Sequence, residues 1–274
     1  PPDPRQPLRP HDITEQDGDR VIVLAKRVFT GTSKILAWDD RHRYYNDEIA
    51  LSRLEMASLD LVYWLEELGY PAVIVPPTHV DPWRYTGDPG AHADTLLSLT
   101  HAAVEAGLGT LGLNLQILTP QYGPRVILAA VLCSAPVECD RRMDQALCHG
   151  PECGRCLRTC PADAVRHWDR DWEACDRYRY PYGFPKLVEH LTDIVATQDP
   201  KAQADKIRSE NTFYLWQSIL RGAGAINGCR NCADDCPVGE DYARHLAATR
   251  AAMREDTPAK AAAAAAMAAA ERDG

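Results

Sequence analysis

The sequence lacks any apolar run long enough to cross a lipid bilayer. A membrane-spanning helix needs about 20 consecutive apolar residues, and the nearest approach is the alanine tract at 261–270, which Met267 interrupts. This tract is too weakly hydrophobic to insert, so we expect a helical or frayed tail. No signal-peptide-like segment stands at the start, and we expect a cytoplasmic protein. Because the chain begins at Pro1, an export signal removed upstream stays an open alternative.

Basic residues are outnumbered by acidic ones. The chain has 30 Lys and Arg against 39 Asp and Glu, which gives a formal net charge of −9. Binding to nucleic acid draws most of its strength from the neutralisation of phosphates by Lys and Arg. Short basic stretches such as Arg141-Arg142 do not reverse the balance. We therefore expect no nucleic-acid partner.

Eight of the ten cysteines form a pattern that is typical of iron–sulfur proteins. The run Cys153, Cys156, Cys160-Pro161 keeps the gaps and the proline of a bacterial ferredoxin segment, in which the last cysteine ligates the other cluster of a pair. Disulfides would require an oxidising compartment and are typical of short secreted chains. A zinc site could use Cys229 and Cys232 as one knuckle, but zinc does not account for the Cys-Pro endings. The pattern predicts two [4Fe-4S] clusters.

The crossing of ligands assigns each cysteine to a cluster. The first cluster takes Cys148, Cys153, Cys156 and, from the far segment, Cys236. The second takes Cys160, Cys229 and Cys232, and Cys175 is the natural candidate for its fourth ligand, because no other cysteine lies between the two runs. Cys148 is the least secure ligand, because four residues separate it from Cys153 where a ferredoxin has two. Cys133 and Cys139 lie outside the pattern and are interpreted as a buried thiol and a loop thiol.

The N-terminal half alternates strand and helix patterns. Arg20–Val28 is rich in β-branched and aliphatic residues and predicts a core strand. Asn46 is placed to cap a long helix that ends at Gly69, and Pro71–Val75 predicts a strand directly after it. Apolar residues at helical spacing predict the core face of that helix: Leu54, Leu61, Trp64, Leu65 and Leu68.

Further elements follow along the chain. A second helix is predicted over 94–106, strands over 115–118 and 125–132, and two helices over 186–197 and 201–222. The alternation up to about residue 137 predicts an α/β or α+β layer domain. The expected organisation is an extended arm at 1–17, an α/β domain at 18–139, a cluster domain at 140–250 and an alanine-rich tail at 251–274.

Three segments before the cysteine runs carry a resemblance to a known family. Ala106–Gly109, Gly112–Asn114 and the turn Thr119–Pro124, followed closely by the two runs, resemble the reductive dehalogenase and epoxyqueuosine reductase superfamily. The resemblance covers roughly residues 18–240. It implies an α+β protein with a nitroreductase-like, cobalamin-binding domain followed by a ferredoxin-like domain with two [4Fe-4S] clusters. Cys175 matches the lone ligand between the two runs of epoxyqueuosine reductase.

The chain also departs from these relatives. Epoxyqueuosine reductases continue into a helical tail that helps to hold transfer RNA, whereas an alanine-rich tail is expected here. The twin-arginine leader of respiratory dehalogenases is not seen. The Asp-x-His-x-x-Gly motif of other corrinoid proteins is missing too, which the resemblance explains by a corrinoid held base-off without a protein ligand.

The resemblance implies cofactor-binding roles for Gly107, Gly109, Gly112 and Asn114. Glycine lets the backbone approach a bulky ligand, but it also closes a turn, and both interpretations stay open. The spacing is not the GxGxxG of a dinucleotide site, because these glycines follow a helix.

Three side chains are candidate proton donors for a reductive cleavage. Asp94 and His101 stand seven residues apart, so they would share one face of the predicted helix. Asp94 could instead cap that helix, and His101 could be a core histidine. Tyr122, in the shared turn, could donate a proton or simply pack, and Tyr44 and Tyr45 are weaker candidates for the same role.

The combined expectation is a corrinoid- and iron–sulfur-dependent reductase. Reduced ferredoxin or flavodoxin would supply electrons, and a halogen or oxygen substituent would be removed from a small organic substrate. One alternative is an electron-transfer protein without its own substrate. The other is a reductase that uses flavin, or a cluster directly, in place of a corrinoid.

Overall fold

The computed structural model describes residues 9–14, 18–35, 40–75, 97–221 and 229–239. Among the predicted residues, Asp94 and the tail at 251–274 lie outside these ranges. The first described segment contains one helical turn, α1 (Pro10–Ile13), within the arm that the sequence predicts to be extended. Pro10 stands at the start of this turn, where its missing N–H costs no helical hydrogen bond.

The N-terminal half is built on a three-stranded antiparallel sheet. Its strands are β1 (Arg20–Arg27), β2 (Ala72–Val75) and β5 (Val126–Cys133), and β5 lies in the centre. In the register, Val23 and Val75 both pair with Ala130 from opposite sides. Val126–Cys133 is almost entirely apolar because its later residues are covered on both faces.

Two helices cover the two faces of this sheet. Helix α2 (Asp40–Glu67) packs Val62 and Leu65 against Val131 and Cys133. On the other face, Ala130 and Leu132 pack with Val75 and with Leu97 and Leu99, and Leu99 begins helix α3 (Leu99–Glu105). Successive residues of β5 therefore point into two separate cores, which is the period-two alternation of a strand. Cys133 is completely buried, as the sequence predicts for a thiol outside the cluster pattern.

The predictions for the first two long helices need three corrections. Helix α2 begins at Asp40, six residues before Asn46, and the Asn46 side chain donates to the His42 carbonyl inside the helix. Trp64 and Leu68, predicted to face the core, are 56% and 54% exposed. Ser98, whose hydroxyl accepts from the amide of His101, caps α3, so the helix does not begin at Asp94.

The remaining elements surround the cysteine runs. They are β3 (Thr110–Leu111), β4 (Ile117–Leu118), α4 (Arg155–Arg158), β6 (Val165–Arg166), β7 (Asp169–Arg170), α5 (Trp172–Arg179), α6 (Phe184–Ala196), α7 (Pro200–Ile207), α8 (Glu210–Arg221) and α9 (Asn231–Asp234). Strands β3 and β4 pair with each other, as do β6 and β7. The single helix predicted over 201–222 is two helices, because α7 ends before Arg208 and Ser209. Within the described residues, none of the helices has both the length and the apolar stretch of a membrane span.

Candidate iron–sulfur centres and the cavity beside them

The structure brings the predicted cysteines together in two sets of four. The first thiol group consists of Cys148, Cys153, Cys156 and Cys236. Burial raises the pKa of Cys156, and the charges of Cys148 and Cys153 raise it further. Burial likewise raises the pKa of Cys236, and Cys148 and Cys156 add to the increase. These thiols therefore lie close enough to influence one another's ionisation, although Cys236 is remote from the others in the sequence.

The second thiol group consists of Cys160, Cys175, Cys229 and Cys232. Burial raises the pKa of Cys232 to about 11, and the charges of Cys229, Cys175 and Cys160 act in the same direction. The pKa of Cys229 is raised by burial and then by Cys175 and Cys160. These are the same two sets that the sequence assigned to two clusters. Their role as ligands stays a prediction.

Backbone amides point at two of the sulfurs. The amides of Leu113 and Gly150 donate to Cys148 Sγ at 3.4 Å each, and the amide of Ala164 donates to Cys160 Sγ at 3.3 Å. Hydrogen bonds of this kind stabilise the negative charge of a thiolate and tune iron–sulfur clusters. In the part of the chain that the structure describes, no three His, Cys, Asp or Glu side chains meet closely enough to hold a single metal ion. A four-iron cluster spreads its thiolate ligands over several iron atoms, so it does not require that convergence.

A cavity of about 270 Å³ adjoins the second thiol group. All four thiols of that group line it, and none of the first group does. Apolar residues of the N-terminal half also line it, among them Leu51, Leu99, Ile117, Val126 and Leu128. The cavity therefore lies between one set of thiols and the start of the central strand β5.

Asp47 is the one carboxylate among the described residues that line this cavity. It lies on α2, is 3% exposed, and its Oδ1 accepts from Nη1 of Arg230 at 2.7 Å. Its Oδ2 is buried without a hydrogen-bond partner. Burial raises the pKa of Asp47 even though Arg230 opposes the shift. Because Arg230 directly follows Cys229, this ion pair also ties the second cysteine run to α2.

Two further buried arginines hold the cysteine runs. Nη1 of Arg125 donates to the carbonyls of Ala233 and Cys236 at 3.0 and 2.9 Å, and Nη2 donates to the carbonyl of Val238. Nη2 of Arg170, on β7, donates to the Asn114 carbonyl. Arg125 therefore connects the start of β5 to the end of the second run.

The glycine-rich segment predicted to bind a cofactor is packed against protein. A Cβ at Gly107 would lie 2.3 Å from the Arg141 carbonyl oxygen, and a Cβ at Gly109 would lie 2.0 Å from that of Leu118. A Cβ at Gly112 would lie 2.8 Å from Oδ1 of Asn114. None of these four predicted residues lines the cavity, whereas Gln116 and Ile117, a few residues later, do. The close approaches are those of a turn, and the cofactor role stays a prediction.

The segment around Asn114 contacts both thiol groups. Nδ2 of Asn114 donates to the carbonyl of Cys232 at 3.2 Å, and the preceding Leu113 carbonyl accepts from the amide of Trp168 at 3.0 Å. Together with the contact from Leu113 to Cys148, these bonds place the segment against both thiol groups. Its position serves the packing of the two cysteine runs.

The predicted proton donors that the structure describes do not line the cavity. His101 is exposed, and its Nδ1 is 2.7 Å from the Ser98 hydroxyl, so it is not a core histidine. Tyr122 is half-buried in the turn, where its amide donates to Thr119 Oγ1 at 3.2 Å. Neither residue lines the cavity, and Tyr45 is exposed on α2. Asp94 lies outside the described residues, and the side chain of Tyr44 does too.

Comparison with known proteins identifies the relatives of the chain. No family model matches it. An epoxyqueuosine reductase of Synechocystis is 27% identical over 143 residues, which are 52% of this chain and 39% of that protein. A tetrachloroethene reductive dehalogenase of Sulfurospirillum multivorans is 36% identical over 72 residues, which are 26% of this chain and 14% of that protein. The chain is homologous to epoxyqueuosine reductases and reductive dehalogenases.

This homologue spans less than half the length of the curated relatives it matches. Solved structures also align with part of the chain. A catabolic reductive dehalogenase aligns with a TM-score of 0.45 at 20% identity, over 58% of this chain and 23% of that one. An epoxyqueuosine reductase of Bacillus subtilis aligns with a TM-score of 0.41 at 19% identity, over 69% of this chain and 38% of that one.

The sequence did not reveal the charged residues that surround the thiol groups of this reductase homologue. Asp47, Arg125 and Arg170 acquire their roles from partners more than fifty positions away in the chain. In the sequence, each is only a charged residue within or beside an apolar segment. Exposed charged residues show the same pattern, so the sequence does not distinguish the two. The second hairpin, β6–β7, was missed for a similar reason, because strands of two residues carry almost no periodic pattern.

Proposed function

We propose that this chain is a two-cluster iron–sulfur reductase that removes a halogen or oxygen substituent from a small organic substrate at the cavity. The observation that carries the proposal is the cavity of about 270 Å³, which is lined both by the four thiols of the second group and by apolar residues of the N-terminal half. Electrons delivered to the second group would there be next to a site lined in part by apolar side chains. The sequence homology to two kinds of reductase supports the same class of chemistry.

The residues fit two [4Fe-4S] clusters. Each thiol group offers four sulfurs, the number that such a cluster takes from cysteine. The raised pKa values of Cys232 and Cys236 mean that these buried thiols are protonated in the absence of metal. Binding of iron requires the thiolate and so releases protons. The amides directed at Cys148 and Cys160 would then stabilise charge on those sulfurs.

Removal of a halogen requires two electrons and one proton, whereas removal of an epoxide oxygen as water requires two electrons and two protons. A carbon–halogen bond is broken, a carbon–hydrogen bond is formed, and the halide leaves with the bonding electron pair. When bound, the two clusters supply the two electrons, which originate from reduced ferredoxin or flavodoxin. Because the first thiol group lies away from the cavity, it is the expected entry point for these electrons.

The proton has a candidate source in Asp47. Its Oδ2 is unpartnered, its side chain lines the cavity, and burial raises its pKa. A carboxyl group that keeps its proton to higher pH is suited to general acid catalysis. Leu99, Ile117 and Leu128 on the apolar wall would exclude water from the same space.

The observations at the predicted cofactor residues give no support to the corrinoid that the family resemblance implies, and its binding stays a prediction. Neighbouring protein atoms occupy the space beside Gly107, Gly109 and Gly112. The cavity beside the second thiol group is smaller than a corrinoid. No step of the proposed reaction is assigned to that cofactor. A spectral titration of the purified protein with cobalamin tests the point directly.

The reaction is tested by reoxidation of the reduced protein. The protein, purified anaerobically and reduced chemically, is mixed with a panel of organic halides and epoxides, with and without cobalamin. We expect at least one compound to reoxidise the clusters with release of halide or loss of the epoxide oxygen. Stable reduced clusters with every compound would leave electron transfer without a substrate as the function. The variant Cys139→Ser, altered at an exposed thiol outside both groups, is the matched control.

A further inference from the structure

Arg170 is a buried cation without a carboxylate partner among the described residues. It is 8% exposed, and its polar contact is the donation from Nη2 to the Asn114 carbonyl. Its guanidinium also lies 4.8 Å from the ring centroid of Trp172, and its Nε is buried without a hydrogen-bond partner. A neutral carbonyl and an aromatic ring only partly compensate a buried charge.

The other charged arginines of this cavity differ from Arg170. Arg230 is paired with Asp47 at 2.7 Å, and Arg179 lies 3.4 Å from the buried Asp176. Each of these two cations thus has an anion of the protein beside it. Arg170 alone, among the described arginines of the cavity, has none, although a buried unpaired charge is strongly destabilising.

Asp47 lines the same cavity but pairs with Arg230, so the second thiol group is the remaining source of negative charge near Arg170 among the described lining residues. Arg170 lines the cavity together with all four thiols of the second group. Asn114, whose carbonyl accepts from Arg170, also donates from Nδ2 to the carbonyl of Cys232 at 3.2 Å, so Arg170 and the second group contact the same residue. A cluster held by four thiolates carries net negative charge, and the charge grows by one on reduction. An anion of this kind would complete the charge balance of the site.

We infer that Arg170 is the charge partner of the second cluster and raises its reduction potential. The inference rests on the two-cluster reductase proposed above. A fixed positive charge stabilises the reduced form of the cluster more than the oxidised form, because the reduced form is more negative. The same side chain donates a hydrogen bond to the Asn114 carbonyl and so holds that segment beside the second thiol group. Arg170 is therefore a positioning residue that makes the cluster beside the cavity easier to reduce.

The test is a redox titration of the whole protein followed by electron paramagnetic resonance. The variant Arg170→Gln removes the charge, and Arg170→Lys keeps it. Arg166→Gln is the matched control, because Arg166 lies in the same hairpin and is exposed. For Arg170→Gln we expect the ratio of reduced to oxidised second cluster to fall at least tenfold at a fixed potential. For a one-electron couple this is a shift of about 59 mV to lower potential.

The companion variants decide between charge and packing. Arg170→Lys should stay near the wild-type potential, and Arg166→Gln should not differ from it. Cys175→Ser, which removes a ligand of the second cluster, identifies the signal that should move. An unchanged reduction potential in Arg170→Gln would overturn the inference. An equal decrease of the potential in Arg170→Gln and Arg170→Lys would overturn it too. If Arg170→Gln loses the second cluster, retention of that cluster in Arg170→Lys supports the inference and its loss there overturns it.

The proposed function fails in a different way. A wild-type protein that holds no clusters after anaerobic purification would remove the basis of both the proposed function and the role of Arg170. Clusters that are present but insensitive to the charge at residue 170 would overturn only the role of Arg170. Iron content, measured on every variant, separates these outcomes without any activity assay.

Discussion

At the scale of single residues, Arg125 joins the strand core to the second cysteine run through three backbone carbonyls. Replacing it by methionine would leave these carbonyls without their charged donor, and hydrogen bonds to charged groups contribute about 1.5–3 kcal/mol each. We expect Arg125→Met to lower the free energy of unfolding by roughly 3 kcal/mol or more. Chemical unfolding under anaerobic conditions, followed by circular dichroism, measures the loss.

The matched control for this prediction is Arg142→Gln. The Arg142 side chain is 64% exposed and pairs with Glu105, itself 64% exposed, at 3.4 Å. Exposed pairs of this kind contribute little to stability. Equal destabilisation by the two substitutions would contradict the proposal that Arg125 stabilises the protein by holding the second cysteine run.

Asp47 gives a prediction about pH. Burial raises the pKa of this carboxyl above its ordinary value of 3.8, despite the opposing charge of Arg230. The folded state therefore binds a proton more tightly than the unfolded state, so ionisation of Asp47 reduces stability as the pH rises. The reduction begins near pH 3.8, the unfolded value, and is complete above the raised pKa.

The variant Asp47→Asn cannot ionise at this position. Relative to it, the wild-type protein should lose stability between pH 3.8 and the raised pKa and show a constant difference above that range. Unfolding curves of both proteins across this range measure the difference. A wild-type protein that gains stability relative to Asp47→Asn as the pH rises would show that the pair with Arg230 outweighs the cost of burial.

At the scale of elements, the segment 107–114 distinguishes packing from ligand binding. A methyl group at Gly109 would lie 2.0 Å from the Leu118 carbonyl oxygen, so the β3–β4 pair would have to move. Overpacking of this kind costs about 1–3 kcal/mol. We expect Gly109→Ala to lower the unfolding midpoint of the protein with no added cofactor, as measured by circular dichroism.

Gly31→Ala is the comparison for that substitution. Nothing lies within 4 Å of a Cβ at Gly31, so this variant should unfold near the wild-type midpoint. If Gly109→Ala were as stable as wild type and impaired only the binding of an added cofactor, the glycine would line a ligand site. The packing interpretation would then be wrong.

The elements also show which local signals predict structure in this chain. Strands β1, β2 and β5 were predicted to within about two residues because their apolar, β-branched residues are buried against helices. The start of α2 was misplaced because Asn46 resembles a cap, yet its side chain donates to a helical carbonyl. The break between α7 and α8 carries neither glycine nor proline, so it gave no signal.

At the scale of the whole molecule, contacts between distant segments lie beyond a single sequence. Cysteine spacing predicted which thiols come together, because ferredoxin-type runs have a known crossing. No comparable rule connects Arg170 to Asn114 or Arg230 to Asp47, and these contacts join the sheet half to the cysteine runs. The grouping of the thiols was therefore predictable from sequence, while their role as cluster ligands stays a prediction. The cavity and its charges required the fold.

The crossed arrangement makes a further prediction for the whole molecule. Cys236→Ser should abolish the same paramagnetic signal as Cys153→Ser, although the two positions belong to different runs. Cys232→Ser should abolish the other signal, although it stands close to Cys236 in the sequence. Spectra of the three reduced variants test this pairing. Loss of one common signal in Cys232→Ser and Cys236→Ser would show that each run serves its own cluster.

The central claim is that the eight cysteines hold two four-iron clusters. The most direct measurement is the content of iron and acid-labile sulfide per chain after anaerobic purification. We predict about eight atoms of each, falling to about four in Cys175→Ser and unchanged in Cys139→Ser. Zinc in place of iron, or only about four iron atoms in the wild-type protein, would contradict the claim.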